Sequence, residues 1–349
     1  MNKDWYSPAT PVGSLNPGDV PSWGHRFDFE NKLKKWCRNN NIGFFGTYVP
    51  IDLESKYAKL VKLRHFEYMD SNNFLSAADV KLGKSGKHLF YLTDNIVDTT
   101  QTSKYKNITV IQIVELWGLI SCPEIKKPTK PSRLFNCFMQ RVESVRQSWF
   151  YFFKHYDLLD KGFVSFLLTQ RPDFTDKTGL ELFDWIHTHY QLDKLLHFEK
   201  AYQELRPHVP YQNFEEISDL SGYTADSKYS LVLETFATED GHVAYCYTEK
   251  IHRALQTPTI NLLFVQQHAL SALAKLGFQI ESVMLEIDKL PWIERQQKIL
   301  DILVNDSVAF DPDMLYNNAQ HNQDLIRNWQ QEFSKGKFYD QILSTINNK

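Results

Sequence analysis

An α/β fold in two domains is predicted, and three observations predict it. Strand-like runs rich in β-branched and aromatic residues alternate with stretches of helical periodicity, an alternation that gives parallel sheets covered by helices. The chain has 349 residues, beyond the usual size of one domain. Between residues 122 and 133, CPEIKKPTKPSR holds three prolines that forbid regular structure among lysines that keep it in water, so it reads as a linker. The expected units are residues 1–132 including the linker, residues 133–325, and a terminal helix over 326–349 that packs back across the cleft between them.

The elements follow in order. FENKLKKWCRNN places Phe29, Leu33 and Trp36 on one helical face. NIGFFGTYV, KHLFYLTD and NITVIQIVE are strand-length runs. Past the linker come a strand RLFNCFM, a Trp/Phe-rich helix, a helical region around Leu180–Leu205, and a strand near Ser230. LPWIERQQKILDILVND opens with Pro291 near a helix start, and DPDMLYNNAQHNQDLIRNWQQEF and the final residues read as terminal helices.

Composition narrows the class. Hydrophobic residues at 42% supply ample core, while no run of about 18 apolar residues predicts a membrane span. The opening MNKDWYSPATPVGSLNPGDVPSWG lacks a charged-then-apolar signal pattern. Cys37, Cys122, Cys137 and Cys246 have no CxxC spacing and read as buried thiols of a reducing compartment. A soluble cytoplasmic protein is the expectation. The net charge of −3 hides an asymmetry: 18 Lys+Arg against 13 Asp+Glu up to residue 132, then 21 against 29. A basic first domain beside an acidic second one suggests an anionic acceptor on the first.

Three tempting motifs fail. GKSGKH lacks the four residues a P-loop needs between its glycines and reads as a basic turn. Asp311-Pro312-Asp313 directly precedes a helical pattern and reads as a cap. His187 and His189 are two apart, whereas helical metal ligands want three or four. No tightly bound metal is expected.

The segment SLVLETFATEDGHVAYCYTEK, Ser230 to Lys250, carries the chemistry. An apolar strand ends at Glu234 and Thr235, a polar loop follows, and Thr248 is placed to cap a helix whose first turn holds Glu249 and Lys250. Free backbone N–H groups, the helix dipole and the Lys250 charge favour an anion there, and Glu234 and Glu249 can accept hydrogen bonds from hydroxyls. That describes a nucleotide-sugar site; the same spacing also reads as an ordinary capped helix with a solvated first turn.

Glu234-Thr235, Thr248-Glu249-Lys250, the strand Asn261–Phe264, the helix His268–Leu276 and Gly277-Phe278 together resemble the donor-domain signature of fucosyltransferase-like GT-B glycosyltransferases, including phage-type members. RLFNCFMQRVESVRQSWFYFFKHYDLLDKGFVSF resembles the first strand and helix of that domain, with Arg146 where the family places its phosphate-contacting arginine. Met139, Gln140 and Val145 depart from the family's Asn-Arg and His. The resemblance covers residues 133 to 330 and implies two Rossmann-like domains facing across a cleft, with a UDP- or GDP-sugar as co-substrate and no tightly bound cofactor.

Glycosyl transfer by direct displacement needs a general base as well as charge stabilisation on the departing diphosphate. The base is sought at the end of LFYLTD, at Asp94, which resembles the strand-Thr-Asp element of phage DNA β-glucosyltransferases. An Asx turn is the structural alternative there. Asp98 and Asp70 are reserves, and Glu115 is a weaker one. The expected acceptor is a hydroxymethylated base in DNA, bound through the basic first domain in the cytoplasm, that of the host if the chain is phage-encoded. A glycan or small-molecule acceptor and a catalytically silent GT-B binding protein are the alternatives.

Overall fold

The computed structural model describes residues 22–46, 56–64, 81–82, 84–93, 96–97, 106–112, 124–139, 144–166, 220–234, 237, 244–245, 247, 249–334 and 337–349. Helix α1 (Ser22–Asn39) comes first and ends where Asn41 turns left-handed at φ 58°, its chain folding back so that Ile42 N donates to Cys37 O at 2.9 Å. The first sheet then runs β1 (Gly43–Phe45), β2 (Lys59–Arg64) and β3 (His88–Thr93). A two-residue strand, β4 (Ile96–Val97), departs from this sheet, and the chain returns to it as β5 (Ile108–Gln112). The order is β1-β2-β3-β5, all parallel.

Period-2 alternation divides the apolar residues of these strands between two faces. On one face Val61, Leu63, Phe90 and Leu92 pack with Leu33 and Cys37 of α1 and with Ile342 and Ile346 of the last helix. On the other, Leu60, Leu89, Tyr91 and Ile108 pack with Leu82. β2 was not expected, because Lys59, Lys62 and Arg64 interrupt its apolar pattern. Two of those lysines donate to backbone carbonyls: Lys62 Nζ to Gly46 O at 2.6 Å, and Lys59 Nζ to Ile346 O at 3.1 Å.

The second sheet contains β6 (Arg133–Met139), β7 (Gly162–Phe166), β8 (Ser227–Leu233) and β10 (Ile260–Phe264), all parallel. A short β9 (Ala244–Tyr245) lies between the last two in sequence and pairs antiparallel with β4. α2 (Ser144–His155) joins β6 to β7 through the turn Leu159–Lys161. Gly162 faces Phe135 across the ladder, and a Cβ there would come within 2.5 Å of the Phe135 ring, so only glycine fits. α3 (Leu220–Ala225) leads into β8, and α4 (Glu249–Leu255) leads into β10. α5 (Ala269–Lys275), α6 (Ser282–Ile287) and α7 (Trp292–Asn305) follow.

The large core here joins Phe135, Cys137, Trp149, Phe152 and Phe153 to Tyr229, Leu231, Ile251, Leu262 and Phe264, and to Ile299 and Leu303 of α7. α8 (Pro312–Ser334) packs on the same core through Leu315 and Ile326, with Trp329 edge-on to Phe278 at 5.5 Å. α9 (Lys337–Asn347) then crosses to the first sheet. Asp311 caps α8 as expected, its Oδ1 accepting from the N–H groups of Asp313 and Met314 at 3.0 Å. Pro291 is the N-cap residue of α7, next to the helix start where it was expected.

The protein is thus α/β with two parallel four-stranded sheets flanked by helices. No described helix is long and apolar enough to cross a membrane. The expected helical region around Leu180–Leu205 lies outside the described residues.

Candidate functional site

The order of the second sheet, β10-β8-β6-β7, locates the site. The chain goes outward from β6 to β7, then returns past β6 to lay down β8 and β10 on the other side. Such a reversal leaves a crevice outside the carboxyl ends of the two strands at the switch point, here β6 and β8. In the first sheet the described strands lie in unbroken chain order, with no reversal among them.

Both switch-point strands deliver a charged residue to their carboxyl ends. β6 ends at Met139 and feeds α2, whose third residue is Arg146. Arg146 is buried, 3% exposed. It acts on Cys137: burial holds that thiol well above its ordinary range, and the positive charge of Arg146 opposes this only in part. β8 ends at Leu233, and Glu234 follows, buried, its N–H donating to Phe264 O of β10 at 3.0 Å. Lys250, in the first turn of α4, brings Nζ to 4.0 Å from Glu234 Oε2. The Glu234 side chain is 3% exposed and that of Lys250 27%, so the pair has a dry end and a wet end. Sixteen residues apart in sequence, the two charges meet because β8 and α4 both open on the carboxyl edge of the sheet.

Buried anchors at both ends hold the connecting loop. Arg295 of α7 donates through Nη2 to Ala237 O at 2.6 Å and through Nη1 to Leu290 O at 2.6 Å. Tyr247, three residues before Lys250, donates its phenol proton to Ala269 O at 2.5 Å. The start of α5 is fixed in turn by Asp288, whose carboxylate accepts from Leu270 N at 3.1 Å, Ser271 N at 2.9 Å and Ser271 Oγ at 2.8 Å. That helix start is saturated from within and offers nothing to an outside anion. Among the described residues, Arg146, Lys250 and Glu234 are charged side chains at this edge of the sheet.

The first sheet reaches the same region. Two residues after β3 ends at Thr93, β4 pairs with β9, Ile96 opposite Tyr245 and Val97 opposite Ala244. The carboxyl end of β3 is therefore tied to the segment that leads into Lys250. Asp94 and Thr248 lie outside the described residues, as do Asp70, Asp98, Glu115, His187 and His189. Glu249 is the first residue of α4, the helix start expected for it.

Arg295, Tyr247 and Asp288 were not anticipated. A signal for Arg295 exists: Trp292, Arg295, Gln296, Ile299, Leu300 and Leu303 form one buried helical stripe, so an arginine stands where an apolar residue belongs. Among the described residues no three His, Cys, Asp or Glu side chains gather closely enough to hold a metal ion.

No protein-family model, no curated protein and no solved structure matches this chain.

Proposed function

We propose that the protein is a nucleotide-sugar-dependent glycosyltransferase of GT-B architecture, with the donor seated at the carboxyl ends of β6 and β8. The observation that carries this reading is the Glu234–Lys250 pair, 4.0 Å apart at a topological switch point, with buried Arg146 in the first turn of the helix that follows the adjacent strand. In the proposed complex the ammonium of Lys250 swings from the wet end of the pair onto the diphosphate. Arg146 adds positive potential from below, and Glu234 accepts a hydrogen bond from a ribose or sugar hydroxyl. Cations placed where negative charge develops on the leaving group lower the barrier to transfer.

The base that takes the acceptor proton is proposed to be Asp94. Its support is its place in the chain, directly between β3 and the strand that pairs with β9. The acceptor favoured is a hydroxymethylated base in DNA, supported by the positive excess of the first 132 residues; turnover on a glycan alone would replace it.

The test is a thermal-shift screen of UDP, GDP, CMP and their sugars, without metal, on the wild-type chain and on Lys250→Ala. A binding nucleotide raises the melting temperature by linkage. The expected result is a nucleotide-specific rise that Lys250→Ala abolishes while keeping the unliganded melting temperature. A rise of equal size in the variant would remove the reading. Binding with no turnover on hydroxymethylated DNA, glycans or small hydroxyl compounds would leave a silent GT-B binding protein.

A further inference from the structure

Part of the positive charge of the first 132 residues stands at the strand-start edge of the first sheet. The parallel registers set the starts of β2, β3 and β5 side by side, with Lys59 opposite His88 and Leu89 opposite Ile108. The backbone continues that alignment: His88 N donates to Ala58 O at 2.8 Å and Leu89 N to Asn107 O at 2.8 Å. The residues entering these three starts are Lys56, then Lys84 and Lys87, then Lys106. Lys56, Lys84 and Lys106 are exposed, whereas Lys59 and Lys87 are half-buried. Gly86, left-handed at φ 82° with open space around it, turns the chain between Lys84 and Lys87.

Several lysines elsewhere lie beside carboxylates: Lys228 by Asp306, Lys127 by Asp313, Lys289 by Glu286 and Lys250 by Glu234. Among the described residues, no carboxylate lies within ion-pair distance of Lys56, Lys84 or Lys106. Lys59 is the exception in this row, its ammonium directed to the carbonyls that end α9. Desolvation, then the charges of Lys349 and Lys59, hold the His88 imidazole below the usual range.

Neighbouring strands stand about 4.8 Å apart, so the three starts that these lysines precede span about 10 Å. A nucleic-acid backbone carries a charge every few ångströms and is the polyanion such a row matches; lysine binds it as a point charge, without reading sequence. We propose that the strand-start edge of the first sheet is a docking surface for the phosphate backbone of a nucleic-acid duplex. Strands of six residues separate this edge from the carboxyl edge by about 20 Å at roughly 3.3 Å per residue. The surface is therefore distinct from the nucleotide site and stands or falls without it.

The experiment is fluorescence anisotropy of a labelled, unmodified short duplex of arbitrary sequence with the full chain, titrated across roughly 50 to 200 mM salt. The expected result is salt-sensitive binding that Lys56→Ala/Lys84→Ala/Lys106→Ala weakens by about tenfold or more at the low-salt end. Its log–log salt slope should fall by about 0.9 per lysine removed. Lys275→Ala/Lys289→Ala/Lys298→Ala, an equal loss of charge on exposed positions of the second half, should bind as wild type. Lys56→Arg/Lys84→Arg/Lys106→Arg should restore the slope, and nucleotide thermal shifts should be the same in all variants. Absence of duplex binding by the wild type would overturn the proposal, as would equal weakening in both alanine triples. Displacement of the duplex by poly-glutamate at matched charge would assign the edge to an acidic protein.

Discussion

Lys250 and Glu234 sit at the limit of an ion pair, 4.0 Å from nitrogen to oxygen, too long for a hydrogen bond. The Lys250 side chain is 27% exposed, so its ammonium can meet a ligand from solvent. A charge-assisted contact to a diphosphate is worth about 1.5–3 kcal/mol. Lys250→Ala should therefore weaken nucleotide-diphosphate binding by roughly ten- to a hundredfold, read by isothermal titration calorimetry. Glu281 makes a separate prediction at this scale. Desolvation pushes its carboxyl from an ordinary 4.5 up to about 7, against a stabilising hydrogen bond from Asn261 N. Between those values the folded chain keeps a proton that the unfolded chain has released, so stability falls as pH rises through that window and levels off above it. Glu281→Gln keeps an oxygen for the Asn261 N–H and removes the titration. Its melting temperature should fall less than that of wild type between pH 5 and 8, and parallel profiles would refute the assignment.

α7 shows how a helix on the floor of the sheet governs a site it does not touch. The guanidinium of Arg295, 2% exposed, satisfies Ala237 O at the near end of the loop and Leu290 O at its own helix start. Arg295→Met preserves length and apolar stem but removes both donations. The buried Ala237 carbonyl left without its donor costs about 1–3 kcal/mol, and the part-buried Leu290 carbonyl costs less. The variant should melt several degrees lower and lose nucleotide affinity. Arg295→Lys, unable to span two carbonyls in a planar fork, should recover only part of either.

The same element marks the limit of what periodicity reveals. The stripe of α7 was readable, but the two polar residues within it required knowing what lay beneath. β3, β6 and β8 were legible because apolar residues fill both of their faces. β2 was not, because its lysines answer carbonyls supplied by residue 46 and by the C-terminal helix, neither of which is visible in a local window. β4 and β9 are two residues each and exist only as each other's partner. Glu234 and Lys250 were placed correctly by the strand–loop–helix pattern, whereas the burial of Arg146 follows from the Cys137 side of β6 and had no local sign.

Across the whole molecule, the last two helices couple the sheets: α8 is built into the second core, and α9 closes a face of the first. Ile342 and Ile346 lie against Val61, Leu63, Phe90 and Leu92, and Lys59 donates to the carbonyls of the final turn, where the helix dipole is negative. The first sheet is thus completed by residues nearly 300 positions away in the chain, and its stability should respond to them while the second core does not. Truncating a buried isoleucine costs about 2–5 kcal/mol. Ile346→Ala should accelerate hydrogen exchange in β2 and β3 and in α1, with β6, β8 and α2 exchanging at the wild-type rate. Because the two cores are separate clusters, melting should no longer follow one transition in this variant. A uniform acceleration through both sheets would mean that they unfold as a single unit, and that α8 and α9 transmit every loss on one side to the other.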